Sequence, residues 1–250
     1  MDGKIVLVTI YNIKRMKNLR HTIKSLTGLL IFMLGASLLT SCLKKSDSDP
    51  LPNAALTLIN ASAATDSLNL YFDGYLVNAN PVRYKNKVDY FQFYPGNHSL
   101  VVTKSKSNAQ IAGGYGGFNA GEYYTLFVIA SSADSTKLIL KNDSVTNPAA
   151  GKAKIRFANL TYDAPQVNIG IEGKEGSLFT QTPFRKITTF VEIDPGTYTF
   201  KIQPTADAAT DKLVQPNVKI EADKVYTIWT RGLWNGSTAS NEFGIELTGY

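Results

Sequence analysis

The sequence predicts an all-β protein made of two tandem β-sandwiches. Three observations carry this. After residue 42 the chain is a series of short segments rich in Val, Ile, Thr, Tyr and Phe, broken by Gly, Pro, Asn and Asp, with no 3.6-residue apolar period. These segments recur after about 100 residues, far beyond the 20–50-residue periods of solenoids. Cys42 is the only cysteine, so no disulfide can brace the ~200 residues that follow, and apolar burial must build the core.

The elements answer one another in order. "LINASAATDSLNLYFDG" (58–74) matches "RFANLTYDAPQVNIGIEG" (156–173). In each copy an asparagine, Asn60 or Asn159, ends a first strand, and an alternating strand follows. "FQFYPGNHSLVV" (91–102) matches "FVEIDPGTYTFKI" (190–202). The shared Pro-Gly predicts a type II turn, since Pro presets φ and Gly accepts φ > 0. "AGEYYTLFVIA" (120–130) matches "ADKVYTIWTRG" (222–232), with Phe127 opposite Trp229. "LFVIA" and "YTIWT" are apolar on both faces, as strands at a sheet centre are. Residues 241–250, "NEFGIELTGY", read as a strand of their own domain. The expected sandwiches are 54–146 and 151–250, joined by the linker "NDSVTNPAAGKA" (142–153).

The Asn-containing first hairpin, the "PG-x-[HY]-[ST]-[LF]" turn and the later Tyr-Thr-[Leu/Ile] strand resemble the family of domain of unknown function 4397. The resemblance covers nearly all of the chain after Cys42. It implies tandem envelope β-domains behind a lipid-attachment signal, and it brings no catalytic residues and no settled ligand. At fold level the pattern is also similar to immunoglobulin-like and transthyretin-like sandwiches, which host many functions.

The segment before the sandwiches predicts location. Lys17, Arg20, His21 and Lys24 precede a mostly apolar run, 26–39, diluted by Gly28, Gly35 and Ser37. A basic head, a short apolar run and small residues form the layout of a secretory signal peptide, and the run is short of the ~20 residues a spanning helix needs. Leu39-Thr40-Ser41-Cys42 resembles the bacterial lipobox, which implies a diacylglyceryl group on the Cys42 sulfur and cleavage before it. The rival readings are a buried core cysteine and a plain secretory signal leaving a free thiol. Residues 1–15 precede Met16, which begins an ordinary leader, so the expected signal peptide is 16–41 and residues 1–15 point to an over-extended start. Residues 42–53 read as a lipidated cysteine and flexible tether. Together these predict an outer-membrane lipoprotein, on either the periplasmic or the surface side.

Charge argues against nucleic acid. The chain carries 26 basic and 20 acidic residues, a formal +6. Six of the basic residues and one acidic residue precede Cys42, which leaves 20 and 19. No basic stripe remains for a phosphate backbone. His98 is the sole histidine after the leader, and Tyr198 stands at its counterpart, which favours a half-buried strand edge over a catalytic base. No metal or cofactor site is expected: a His/Cys zinc site cannot be built, and Asp134, Asp207 and Asp211 lack the spacing of a calcium loop.

Two stretches hold candidate binding residues. "AGGYGGFNAGEYY" (112–124) sets Tyr115 and Phe118 among glycines, where exposed rings would stack on a sugar. The competing expectation, favoured by the burial tendency of large aromatics, tucks both rings against the sandwich. "WTRGLWNGS" (229–237) offers Trp234 with Arg231 and Asn235 on a turn, as a site for glycan or protein, against an indole that caps the sandwich. The function expected is a non-enzymatic binding or structural module with a glycan or envelope-protein partner. The alternatives are a carboxylate-based envelope glycan hydrolase, with two acids converging from distant strands, and a fimbrial-type surface subunit with an open sheet edge.

Overall fold

The computed structural model describes residues 52–143 and 146–250. Cys42, the expected leader and most of the expected tether lie outside the described residues. Residues 51–250 form one compact unit.

Every regular element among the described residues is a strand. The first half holds β1 (Ala54–Ala61), β2 (Ser67–Phe72), β3 (Tyr75–Leu76), β4 (Val82–Arg83), β5 (Lys87–Phe93), β6 (Gly96–Lys104), β7 (Gln110–Phe118), β8 (Tyr123–Ser132) and β9 (Ser135–Asn142). The second holds β10 (Ala153–Ala158), β11 (Val167–Ile171), β12 (Ser177–Thr182), β13 (Val191–Ile193), β14 (Gly196–Pro204), β15 (Leu213–Ile220), β16 (Val225–Arg231) and β17 (Gly244–Gly249). Sheet β5-β1-β8-β9 faces sheet β3-β2-β6-β7, with β4 also on β2. Sheet β13-β10-β16-β17 faces β12-β11-β14-β15. The fold is all-β and sandwich-like.

The two halves repeat one plan. β1 runs parallel to β8, with Leu56 beside Tyr124, and β10 runs parallel to β16, with Ile155 beside Tyr226. Asn60 and Asn159 fix the same corner. Lys85 N donates to Asn60 O at 2.8 Å and Arg185 N to Asn159 O at 2.7 Å, while each asparagine's Nδ2 reaches the carbonyl of Val82 or Thr182 at 3.0 Å. Lys85 and Arg185 sit at φ 73° and 72°, a left-handed conformation that residues with a Cβ rarely take, held here by those buried amides.

The expected type II turn is not formed. β5 and β6 lie in opposite sheets, as do β13 and β14, so Pro95-Gly96 and Pro195-Gly196 are corners where the chain crosses the sandwich. Gly96 has φ 140° and Gly196 is outside the left-handed region, whereas a type II turn needs about +80°. The residue two places on clamps each corner: His98 Nε2 lies 2.8 Å from Tyr94 O, and Tyr198 Oη donates to Asp194 O at 2.7 Å.

Strands β1, β8, β10 and β16 are buried on both faces. Leu56, Leu58, Leu126 and Val128 point into the first sandwich, and Ile155, Phe157 and Ile228 into the second. The alternate residues, Ile59, Ala61, Phe127, Ile129, Ala158 and Trp229, form a third core with Leu160 and Ile187. That third core is a seam between the two sandwiches. Burying a large apolar side chain contributes about 1.5–3 kcal/mol, so this seam argues for one body rather than two beads on a string. Lys87 Nζ donates to Gly249 O at 3.1 Å, and Gly232 N to Tyr84 Oη at 2.8 Å, across its rim. At the chain's entry, Pro52 and Asn53 belong to the fold rather than to a free tether: both carbonyls accept from Gly121 N at 3.2 Å.

Candidate functional site

Strand β7 is the edge of its sheet, and period-two alternation splits its side chains between faces. Tyr115 pairs with Ser99 on the outer face and is 87% exposed. Gly113 and Gly117 flank it on that face, with the Gln110 side chain close to Gly113 and the Asn97 side chain close to Gly117. Phe118, three residues on, faces inward and is only 3% exposed. Its ring lies 4.9 Å from Phe93 and 4.8 Å from Tyr124, both edge-on. Phe118 is therefore core and presents no face to a ligand.

Tyr115 also stands on the lip of a groove of about 360 Å³ between the free edges of β7 and β9. Leu100, Leu126, Leu138 and Leu140 make its apolar floor, Gly113 and Gly114 one wall, and Thr136 and Lys137 the other. A Cβ on Gly114 would meet nothing within 4 Å, so the missing side chain is open space there. An apolar floor with a few polar groups at its margin is the composition of a small-molecule site.

The second stretch does not assemble into a cluster. Arg231 turns to Glu246, with Nε 2.9 Å from Oε1, and donates from Nη1 to Glu242 O at 2.8 Å. Trp234 is half-buried on the second core, edge-on to Phe243 at 4.8 Å, with Lys212 Nζ 5.0 Å above its ring. Asn235 Oδ1 accepts from that same lysine at 3.3 Å. The indole's face is occupied by a cation, and Arg231 is neutralised elsewhere.

Glu172 and Asp211, the acids that approach each other around Lys201, do not form an acid/base pair. Glu172 and Asp211 come together only through Lys201, whose Nζ lies 3.5 and 2.9 Å from them. Hydrogen bonds from Lys201 and Gln203 hold the Asp211 carboxyl below the usual range, the opposite of what a general acid requires. Asp134 and Asp207 are exposed in loops. Among the described residues no three His, Cys, Asp or Glu side chains converge as metal ligands. His98 is half-buried, with Nδ1 2.6 Å from Asp73 Oδ2 and its ring stacked 4.7 Å from Phe72, so both nitrogens serve the corner.

One charged constellation escaped the sequence reading. Arg156 and Asp143 meet in the seam, 2.7 Å apart. Arg156 Nε donates to Thr227 Oγ1 at 2.8 Å, and its guanidinium lies 4.6 Å over the Phe190 ring. Tyr90 Oη and Thr125 Oγ1 both donate to Asp143 Oδ2 at 2.8 Å. Every charge there has an internal partner, so the cluster is structural.

The model of a family described as Domain of unknown function (DUF4397) matches residues 54–170. Three solved structures are similar in outline. A candidate cell adhesion protein from Parabacteroides distasonis is 9% identical, with 80% of this chain and 99% of that chain covered and a TM-score of 0.23. A family 26 carbohydrate-binding module from Eubacterium rectale, solved with maltoheptaose, is 12% identical over 75% and 100%, with a TM-score of 0.24. The fimbrial anchor protein Mfa2 from Porphyromonas gingivalis is 9% identical over 79% and 98%, with a TM-score of 0.21. Likeness at this level carries no inference about ligand or partner. The search of curated proteins returned no match.

Proposed function

We propose that this chain, whose residues 54–170 match the model of the family described as Domain of unknown function (DUF4397), is a lipid-anchored, non-enzymatic cell-envelope protein that binds glycan at the β7–β9 groove. The observation that carries this is Tyr115: a ring 87% exposed, between two glycines of an edge strand, at the lip of an apolar groove. Exposing a large aromatic costs burial that the fold would otherwise gain. Its face suits the C–H face of a pyranose, and Thr136 and Lys137 at the margin supply hydrogen-bond donors for hydroxyls. The lipid anchor rests on Leu39-Thr40-Ser41-Cys42, with the acyl chains on Cys42 fixing the protein to the outer membrane.

A glycan array on the detergent-solubilised mature protein tests the binding. Selective binding that Tyr115→Ala removes is the expected result. Silence across the array, with a normally folded protein, sinks the glycan reading. Labelled palmitate entering the wild type and not Cys42→Ser tests the anchor.

A second reading has one observation in its favour. β7, "QIAGGYGGF", is an edge strand with neither charge nor proline, whereas edge strand β15 carries Pro216 and Lys219. Edges left so unprotected accept an added strand, as a fimbrial-type subunit requires.

A further inference from the structure

We propose that the end of the first sandwich where the chain enters rests on the lipid surface, with Tyr75, Leu76 and Tyr94 seated among the headgroups. The inference rests on the lipid anchor at Cys42 proposed above. Tyr75 is 79% exposed, Tyr94 78% and Leu76 52%, three of the six large exposed apolar side chains among the described residues. They share one end. Ala54, at the start of β1, pairs with Phe93, which places Tyr94 beside the entry. His98 joins Tyr94 to Asp73 through its two ring nitrogens, and Asp73-Gly74 leads into Tyr75 and Leu76.

The second sandwich supplies the comparison. Asp73 N donates to Ser99 O at 3.0 Å, and Glu172 N to Thr199 O at 2.9 Å, so the two turns superpose in sequence as 72–76 and 171–175. There Tyr75, Leu76 and Tyr94 become Lys174, Glu175 and Asp194. The fold therefore does not need aromatic or apolar residues at these positions, and they occur only in the sandwich that follows the anchor directly. The ten residues from Cys42 to Pro52 reach at most about 35 Å, so this end stays near any bilayer that holds the cysteine. Tyrosine, apolar in body and polar at its tip, is the residue suited to the headgroup layer.

The test uses the acylated protein, whose only native thiol is blocked by lipid. Tyr75→Cys, Tyr94→Cys and, in the exposed β6–β7 turn at the opposite end of the sandwich, Ser107→Cys are each labelled with an environment-sensitive fluorophore and reconstituted into phosphatidylcholine vesicles with and without brominated acyl chains. Loss of fluorescence to bromolipid at positions 75 and 94, and none at 107, is the expected outcome. If 75 and 94 are quenched no more than 107 while the protein floats with the vesicles, the docking proposal falls and the anchor stands. A blue shift without bromolipid quenching, growing with protein density, replaces the lipid with a second copy of the chain. Mass spectrometry showing an unmodified Cys42 and protein left in the supernatant removes the anchor, and this proposal with it.

Discussion

Arg156 Nη2 and Asp143 Oδ1 lie 2.7 Å apart, with their side chains 1% and 0% exposed, where the two sandwiches meet. Asp143 Oδ1 has no hydrogen bond of good geometry, so the contact is charge against charge, while Oδ2 takes the directed bonds from Tyr90 and Thr125. Removing one partner strands a charge in the seam. Arg156→Ala and Asp143→Ala are each expected to lose about 3–5 kcal/mol in urea denaturation. Arg156→Met with Asp143→Leu together should lose far less, because no charge is left unpaired. Equal losses in the single and double variants would show that packing, not the ion pair, holds this point.

The twin asparagines give a second expectation. Asn60 and Asn159 are fully buried, and each satisfies backbone groups of the loop beside it. Asn159 also accepts from Thr230 Oγ1 at 3.1 Å. Replacing either with Ala leaves buried polar groups without partners, each costing about 1–3 kcal/mol. Asn→Asp should cost more, since it puts an unpaired negative charge in the same place. Thermal denaturation of the four variants checks the order.

These cases separate what the chain shows in one dimension from what it does not. The repeat, the strand class and the central position of "LFVIA" and "YTIWT" follow from local pattern, because burial on both faces leaves no polar alternation. The pattern cannot say what the second face meets. Phe127 and Trp229 read as core, and the structure makes them seam. Arg156 in "KIRFAN" carries no local sign of burial, since its partner Asp143 sits in the linker and its burial depends on the neighbouring sandwich. A Pro-Gly pair announces a bend and is silent on which sheet receives the next strand. Tyr115 and Phe118 were separable: residues three apart on a strand point to opposite faces, so at most one of the rings could have been exposed.

The glycines of β7 make a paired prediction. A Cβ on Gly116 would lie 2.8 Å from the Phe118 ring and 2.9 Å from Leu140 Cδ2, whereas Gly114 has room. Gly116→Ala should therefore cost about 1–3 kcal/mol by overpacking, and Gly114→Ala should leave the urea midpoint nearly unchanged while narrowing the groove. Gly232→Ala should be worse than either, since φ is 76° and the Cβ would fall 2.1 Å from Glu242 O.

The seam also sets a limit at high pH. Burial, then the negative charge of Asp143, pushes the Tyr90 hydroxyl far above its usual value, and burial pushes Tyr84 up as well. A tyrosine in the unfolded chain releases its proton near pH ~10, while these two retain theirs in the folded state. Above that pH the folded protein binds more protons than the unfolded chain, so the contribution of these two hydroxyls to stability is constant below pH ~10 and is lost as pH rises beyond it. Urea midpoints taken from pH 8 to 11 should show that fall, and Tyr84→Phe should make it shallower. A profile flat to pH 11 would mean that neither hydroxyl is withheld from solvent.

The last prediction sets the two candidate aromatics against each other. Tyr115 makes no ring contact with the core and its neighbours on the face are glycines, so Tyr115→Ala should leave stability within about 0.5 kcal/mol of the wild type, as surface changes do. If a sugar stacks on that ring, the same change abolishes glycan binding and Tyr115→Trp preserves or strengthens it. Trp234 is the reverse case. It packs on Phe243 beneath Lys212, so Trp234→Ala should lower the melting temperature and leave glycan affinity where it was. Isothermal titration with the best array ligand, run beside thermal denaturation on all three variants, separates the roles. Binding lost in Trp234→Ala and kept in Tyr115→Ala would move the site to the second sandwich, and the groove between β7 and β9 would then need another occupant.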